Sequence, residues 1–260
     1  MKEKKKFNII SNILLVCCVV VFLFSLWKVA GYLIEYRKGE ESYESIMDEA
    51  VVIPEAPDVE VPEEDLLPVI DWDALYAMND DLLGFLYIPD TIIQYPIVQG
   101  SDNEYYLTHT FSGETNKCGC IFMDTGNQAD FTSDNTLLHG HNMKTGKMFG
   151  SLRKYEDKSY WEEHPYIWIL TEDTAMKYHI FSSGRTDAGS YVYTLEFGSE
   201  QSFETYIQKR TKIDAYYDTG VEVTTQDRLL TLSTCTSDTE EGRRVVQAKL
   251  VEIKEINNEQ

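Results

Sequence analysis

Basic residues are scarce in this chain. Its 260 residues carry 23 Lys and Arg against 44 Asp and Glu, a formal net charge of -21. That balance excludes nucleic acid as a partner, because binding a phosphate backbone needs a basic face. Cysteine is sparse and badly placed for cross-linking. Cys17 and Cys18 lie in an apolar run, Cys118 and Cys120 are one residue apart, and Cys235 stands alone. This is not the spread, even pattern of a disulfide-stapled secreted domain. No CxxC pair is answered by a second ligand pair, so the zinc-ligand pattern is missing as well. There is no glycine-rich phosphate loop and no internal repeat, and no metal or cofactor is expected. Cys118 and Cys120 read as small core or edge residues on one strand face, with a strained bridge between them as the alternative.

One long hydrophobic run is present. Residues 1–6 form a basic tail, with Lys2, Lys4, Lys5 and Lys6 against Glu3. Residues 7–27 then carry no charge, and about 20 apolar residues suffice to span a bilayer as a helix. Lysines before the run and acidic residues after it place the N-terminus in the cytoplasm. A cleaved signal peptide fits less well. The apolar stretch is too long, and Lys28 would occupy the third position before a cut after Ala30, where a small residue is needed. The run therefore reads as an uncleaved, single-pass signal-anchor. Cys17 and Cys18 read as ordinary membrane residues rather than palmitoylation sites.

Residues 28–67 read as an acidic stalk. The anchor helix could extend into its first part. From Glu40 onward it shows neither strand nor helix periodicity and is broken by Pro54, Pro57 and Pro62. Such a segment buries too little apolar surface to fold alone. The folded domain is expected over 68–256, with a short tail at 257–260. Within it, Ile70, Trp72, Leu75 and Tyr76 fall at helical spacing with Asp71 as N-cap. Strands are expected over 83–88, 92–98, 120–123, 135–138, 166–170, 176–183, 228–234 and 243–253. A helical turn is expected over 105–109, and helices over 147–155 and 201–212. Many short strands without a βαβ rhythm predict a mostly antiparallel barrel.

Two stretches carry chemistry. The run Leu229-Leu230-Thr231-Leu232-Ser233-Thr234-Cys235 reads as a buried strand ending in a thiol. An acidic loop over 236–242 follows, and then a strand opens with Gly242-Arg243-Arg244-Val245-Val246. A thiol beside a returning guanidinium is a nucleophile site, since a nearby cation favours the reactive thiolate. The alternative is a core cysteine beside a solvated strand edge. A cysteine nucleophile needs a histidine as base and acid, and the chain has His109, His139, His141, His164 and His179. His164 reads as surface and His179 as packing. His139 and His141 flank Gly140 where a strand gives way to a loop, on one face of the extended chain. Spacing does not choose between them.

The run Asn135-Thr136-Leu137-Leu138-His139-Gly140-His141-Asn142-Met143 resembles the histidine motif of sortases. Thr231-Leu232-Ser233-Thr234-Cys235 resembles their Thr-Leu-x-Thr-Cys motif, and Gly242-Arg243-Arg244-Val245-Val246 their arginine strand. Tyr95-Pro96-Ile97-Val98-Gln99-Gly100, Asp102-Asn103, Tyr106-Leu107 and Gly119-Cys120-Ile121-Phe122-Met123-Asp124 resemble class B members, as does the helix placed before the cysteine strand. The resemblance covers residues 68–253. It implies a mostly β fold, a sortase-type closed β-barrel with an N-terminal helix and a helix inserted before the cysteine strand. It implies Cys235 as nucleophile and His141, followed by Asn142, as general acid and base. His139 takes a position more often aromatic in the family. Arg243 is implied as the oxyanion or substrate residue, with Arg244 as the alternative. Ser233, Thr234 and Asn142 would lie along the substrate. The implied activity is that of a cysteine transpeptidase at a Gram-positive cell surface. Such an enzyme cleaves a C-terminal sorting-signal peptide of secreted proteins and passes the acyl group to an amine of peptidoglycan or a pilin. A membrane-tethered binding module and a cysteine hydrolase are the other classes the residues allow.

Overall fold

The computed structural model describes residues 2–54, 66–236, 239 and 241–256, with backbone alone for 2–11 and 13. Helix α1 (Lys2–Ala50) opens the chain. From Leu14 to Ile34 its large apolar side chains are exposed, Phe22 and Trp27 by about two-thirds. Beyond residue 38 its character changes. Gly39, Tyr43, Ile46 and Ala50 are buried at spacings of four, three and four, the stripe of a docked helix. The stalk reading therefore fails for residues 39–50. Glu41, Glu44, Asp48 and Glu49 occupy the solvent face of the same turns, and their charge hid a narrow apolar stripe. Pro57 and Pro62 of the expected stalk, and the 257–260 tail, lie outside the described residues.

Strand β1 (Val51–Val52) pairs antiparallel with β2 (Val69–Ile70). Helix α2 (Trp72–Met78) follows, its first turn capped by the Asp71 carboxylate, which accepts from the Ala74 amide at 3.0 Å. Eight strands then close a barrel: β3 (Leu82–Tyr87), β4 (Gln94–Val98), β5 (Ile121–Met123), β6 (Asn135–His139), β7 (Tyr166–Leu170), β8 (Thr174–Asp187), β9 (Leu229–Cys235) and β10 (Gly242–Glu255). Around the barrel the order is β10-β8-β7-β3-β4-β5-β6-β9, returning to β10. The pairs β4–β5 and β6–β9 are parallel, and the others are antiparallel. Helix α3 (Lys158–Glu163), capped by Asp157, buries no side chain, so it left no apolar signature to predict. Helix α4 (Glu200–Lys212) is the insertion before β9, opened by a Ser199–Ser202 capping box.

Strand β9 is covered on both faces. Leu230 and Leu232 point into the barrel with Val246 and Ala248 of β10. Leu229, on the other face, packs with Phe181 and with Phe203, Tyr206 and Ile207, three of them on α4. This double cover explains a strand that is apolar without alternation. It also assigns the sides: positions 229, 231, 233 and 235 face outward, and 230, 232 and 234 face the barrel core.

Candidate active site

Register determines what meets at the open end of β9. Strands β6 and β9 run parallel, with His139 opposite Ser233, and the Gly140 amide donates to the Ser233 carbonyl at 3.1 Å. The continuation of each chain therefore leaves the barrel at the same end, His141 on one and Cys235 on the other. On the far side β10 returns antiparallel, with Arg243 opposite Cys235 and Arg244 opposite Thr234. Directly paired residues share a sheet face, so Cys235 and Arg243 lie on the outer face with Ser233. The six residues before Cys235 are buried, and Cys235 is exposed. The hairpin is closed by the Thr236 amide donating to Gly242 O at 2.9 Å and the Gly242 amide donating to Thr239 Oγ1 at 2.8 Å. Asp238 and Glu240 of the expected acidic loop lie outside the described residues.

The two arginines are placed very differently. Arg244 is buried, and its Nε donates to Glu156 Oε1 at 3.2 Å while Nη2 contacts the same oxygen. Arg185 sits 3.7 Å from that oxygen, and the Tyr216 hydroxyl donates to it at 3.2 Å. The Arg244 guanidinium holds the Glu156 carboxyl below its ordinary range. Arg243 is half-buried beside the thiol strand, with Nη1 donating to the Gly242 carbonyl at 3.0 Å.

The histidines separate in the same way. His139 Nε2 lies 3.2 Å from Asp124 Oδ2, and its ring stacks on Phe122 at 5.0 Å. Asp124 is held below the usual carboxylate range, chiefly by its hydrogen bond with His139. His141 Nε2 lies 2.7 Å from the Leu107 carbonyl. A carbonyl only accepts, so Nε2 carries the hydrogen of this bond and Nδ1 takes no part in it. Gly119 makes this approach possible. Its φ is +60°, and a Cβ there would sit 2.5 Å from the Tyr106 carbonyl and 3.0 Å from His141 Cδ2. Gly119→Ala is expected to cost about 1–3 kcal/mol in backbone strain alone, read as a lowered thermal midpoint. His109 stacks on Tyr105 and His179 packs between Trp161 and Tyr166.

The remaining candidates are less eventful. Thr234 is buried on the core face, its hydroxyl without a hydrogen-bond partner among the described residues. The Asn142 backbone bridges to Met148. Cys118 and Cys120 are buried free thiols, and burial raises them to about 11 and about 12. Those values suit inert packing residues and not nucleophiles.

Sequence reasoning missed Tyr193. It closes a helical turn at Tyr191–Tyr193, and its hydroxyl lies 3.0 Å from Ser233 Oγ. Its ring is parallel to His139 at 6.5 Å. Burial raises its phenol, and the hydrogen bond with Ser233 and the Arg243 charge oppose the shift. Nothing in its local sequence marks it.

A closed barrel whose strands β6 and β9 lead to His141 and Cys235 at the same end, with Arg243 paired opposite the thiol, matches known proteins along its domain. The family model described as "Sortase domain" matches residues 86–251. Sortase B of Listeria monocytogenes is 40% identical over 235 residues, covering 89% of this chain and 92% of that protein. The crystal structure of sortase B from Bacillus anthracis in complex with AAEK1 superposes with a TM-score of 0.68 at 32% identity, covering 85% of this chain and 99% of that one. The Staphylococcus aureus sortase B-substrate complex superposes with a TM-score of 0.65 at 26% identity, covering 86% of this chain and 96% of that one. The chain belongs to the sortase family, among its class B members.

Proposed function

We propose that this sortase is a membrane-anchored cell-surface cysteine transpeptidase that cleaves a sorting-signal peptide of secreted proteins and transfers the new acyl end to an amine of peptidoglycan or a pilin. The observation that carries the reading is the pair of registers that brings Cys235 opposite Arg243 and level with His141. The exposed apolar stretch of α1 supports a membrane anchor, and the lysines at its start support a cytoplasmic N-terminus.

In the proposed cycle the Cys235 thiolate attacks the carbonyl carbon of a threonine in the signal. The C–N bond breaks, and protonated His141 gives its Nδ1 proton to the departing amine. A thioester on Cys235 remains. An incoming amine attacks it, His141 takes the proton, and the amide leaves with the thiolate restored. Arg243 supplies fixed positive charge where the oxyanion develops. Ser233 and Asn142 border the peptide, joined by Tyr193 over Ser233, while Thr234, on the core face, supports the strand end. The exposed Cys235 thiol counts against a purely binding role.

The two histidines give a sharp contrast. His141→Ala is expected to remove nearly all cleavage, whereas His139→Phe, which keeps a ring on Phe122, retains activity within about tenfold. Steady-state cleavage of a fluorogenic sorting peptide reads both. Transfer itself is tested by adding an amine nucleophile to the full chain with a panel of sorting peptides. Transpeptidation requires that product shift from acid to amide as amine rises. Acid alone at every amine concentration would leave a hydrolase.

A further inference from the structure

The His141 ring rests on a short piece of chain that α1 itself holds in place. The Leu107 carbonyl accepts from His141 Nε2, and Gly119 lies directly against the imidazole edge. These two backbone points are tied together, because the Cys120 amide donates to the Tyr106 carbonyl at 2.9 Å. The segment is then pinned from outside by α1. The buried Tyr43 hydroxyl donates to the Gly119 carbonyl at 2.7 Å, and Asn116 Nδ2 donates to the Glu35 carbonyl at 3.0 Å. The helix comes this close only because residue 39 is glycine: a Cβ there would meet Cys118 Sγ at 2.7 Å and Asn116 Oδ1 at 2.9 Å. Burial raises the Tyr43 phenol well above its ordinary value, so it stays protonated and donates at any physiological pH. Lys117 adds an ion pair to Glu35 at 2.8 Å and lies over the Tyr32 ring.

We propose that Tyr43, on the helix that continues from the membrane anchor, is a positioning residue for His141, acting through the Gly119 carbonyl. The inference rests on the reading of His141 as the acid and base of the reaction. Its physical content is that the juxtamembrane helix is part of the catalytic framework. Without the Tyr43 hydroxyl, the buried Gly119 carbonyl loses its donor, and the segment against which the imidazole rests relaxes.

The test uses the full-length chain in detergent micelles, comparing Tyr43→Phe with Ile46→Val, a trim of the same buried stripe that leaves the hydroxyl in place. Two quantities are read: cleavage kinetics on a sorting peptide, and the side-chain nitrogen resonances of His141 in histidine-labelled protein. Tyr43→Phe is expected to lower kcat by about tenfold, with KM changed less than about twofold, as a small misplacement of a catalytic group does. It is also expected to move the His141 Nε2–H resonance, whereas Ile46→Val does neither. The proposal is overturned if Tyr43→Phe leaves the His141 resonance in place, whatever kcat does, or if Ile46→Val reproduces both effects. If the resonance moves while kcat holds, Tyr43 positions His141 and the assignment of His141 as acid and base is the part that fails.

Discussion

Cys235→Ala is expected to abolish cleavage of a sorting peptide while leaving the protein folded. The expected loss is complete within assay limits, because no other thiol is placed to substitute. Cys118 and Cys120 are buried and raised by burial, and Cys17 and Cys18 lie within the apolar part of α1. The thermal midpoint should hardly move. Cys235 is the exposed last residue of β9, so truncating it creates no cavity of the kind that makes core substitutions costly. Its backbone pairing with Arg243 survives the change. Peptide turnover and a thermal melt on the same preparation separate loss of chemistry from loss of fold.

Arg243→Ala carries the second large effect. A fixed cation at a developing oxyanion is worth on the order of 100- to 1000-fold in kcat, and that fall is expected here with little change in stability. Arg244→Ala should behave in the opposite way. Its guanidinium is buried and tied to Glu156, which also draws in Arg185 and Tyr216. Removing it leaves Arg185 and Glu156 to rearrange around an empty site, so the thermal midpoint falls and activity falls less than in Arg243→Ala. Loss of activity in Arg244→Ala with normal activity in Arg243→Ala would overturn this assignment.

Much of this was legible in the sequence, and the exceptions have physical causes. The strands of the barrel announced themselves by β-branched and apolar runs. Adjacent residues on a strand must face opposite sides, so one of Arg243 and Arg244 had to leave the site. What sets the two apart in the fold is the Glu156 carboxylate, 88 positions before Arg244 in the chain, which only folding brings near. The two parallel pairings were also beyond a reading of local pattern, since strand direction within a sheet depends on connections. Yet the β6–β9 pair is what brings His141 level with Cys235. His139 and His141 are equivalent by spacing and differ by partner: Asp124 engages one, and the Leu107 carbonyl orients the other. The docked part of α1 was overlooked because acidic residues outnumber its stripe of Gly39, Tyr43, Ile46 and Ala50. Composition averages the two faces of a helix, and only their angular separation shows that it docks. Tyr193 sits in an irregular turn whose sequence carries no periodicity, and its role beside Ser233 exists only in three dimensions.

In the proposed cycle the reaction passes through an acyl group on Cys235. Intact-mass spectrometry of the full chain mixed with a sorting peptide in the absence of amine tests it directly. The expected spectrum shows a single adduct equal to the acyl fragment of the cleaved peptide, mapped by proteolysis to Cys235. The adduct should disappear on addition of an amine nucleophile and never form in Cys235→Ala. An active enzyme that accumulates no adduct under single-turnover conditions, or carries it on another residue, would contradict the account.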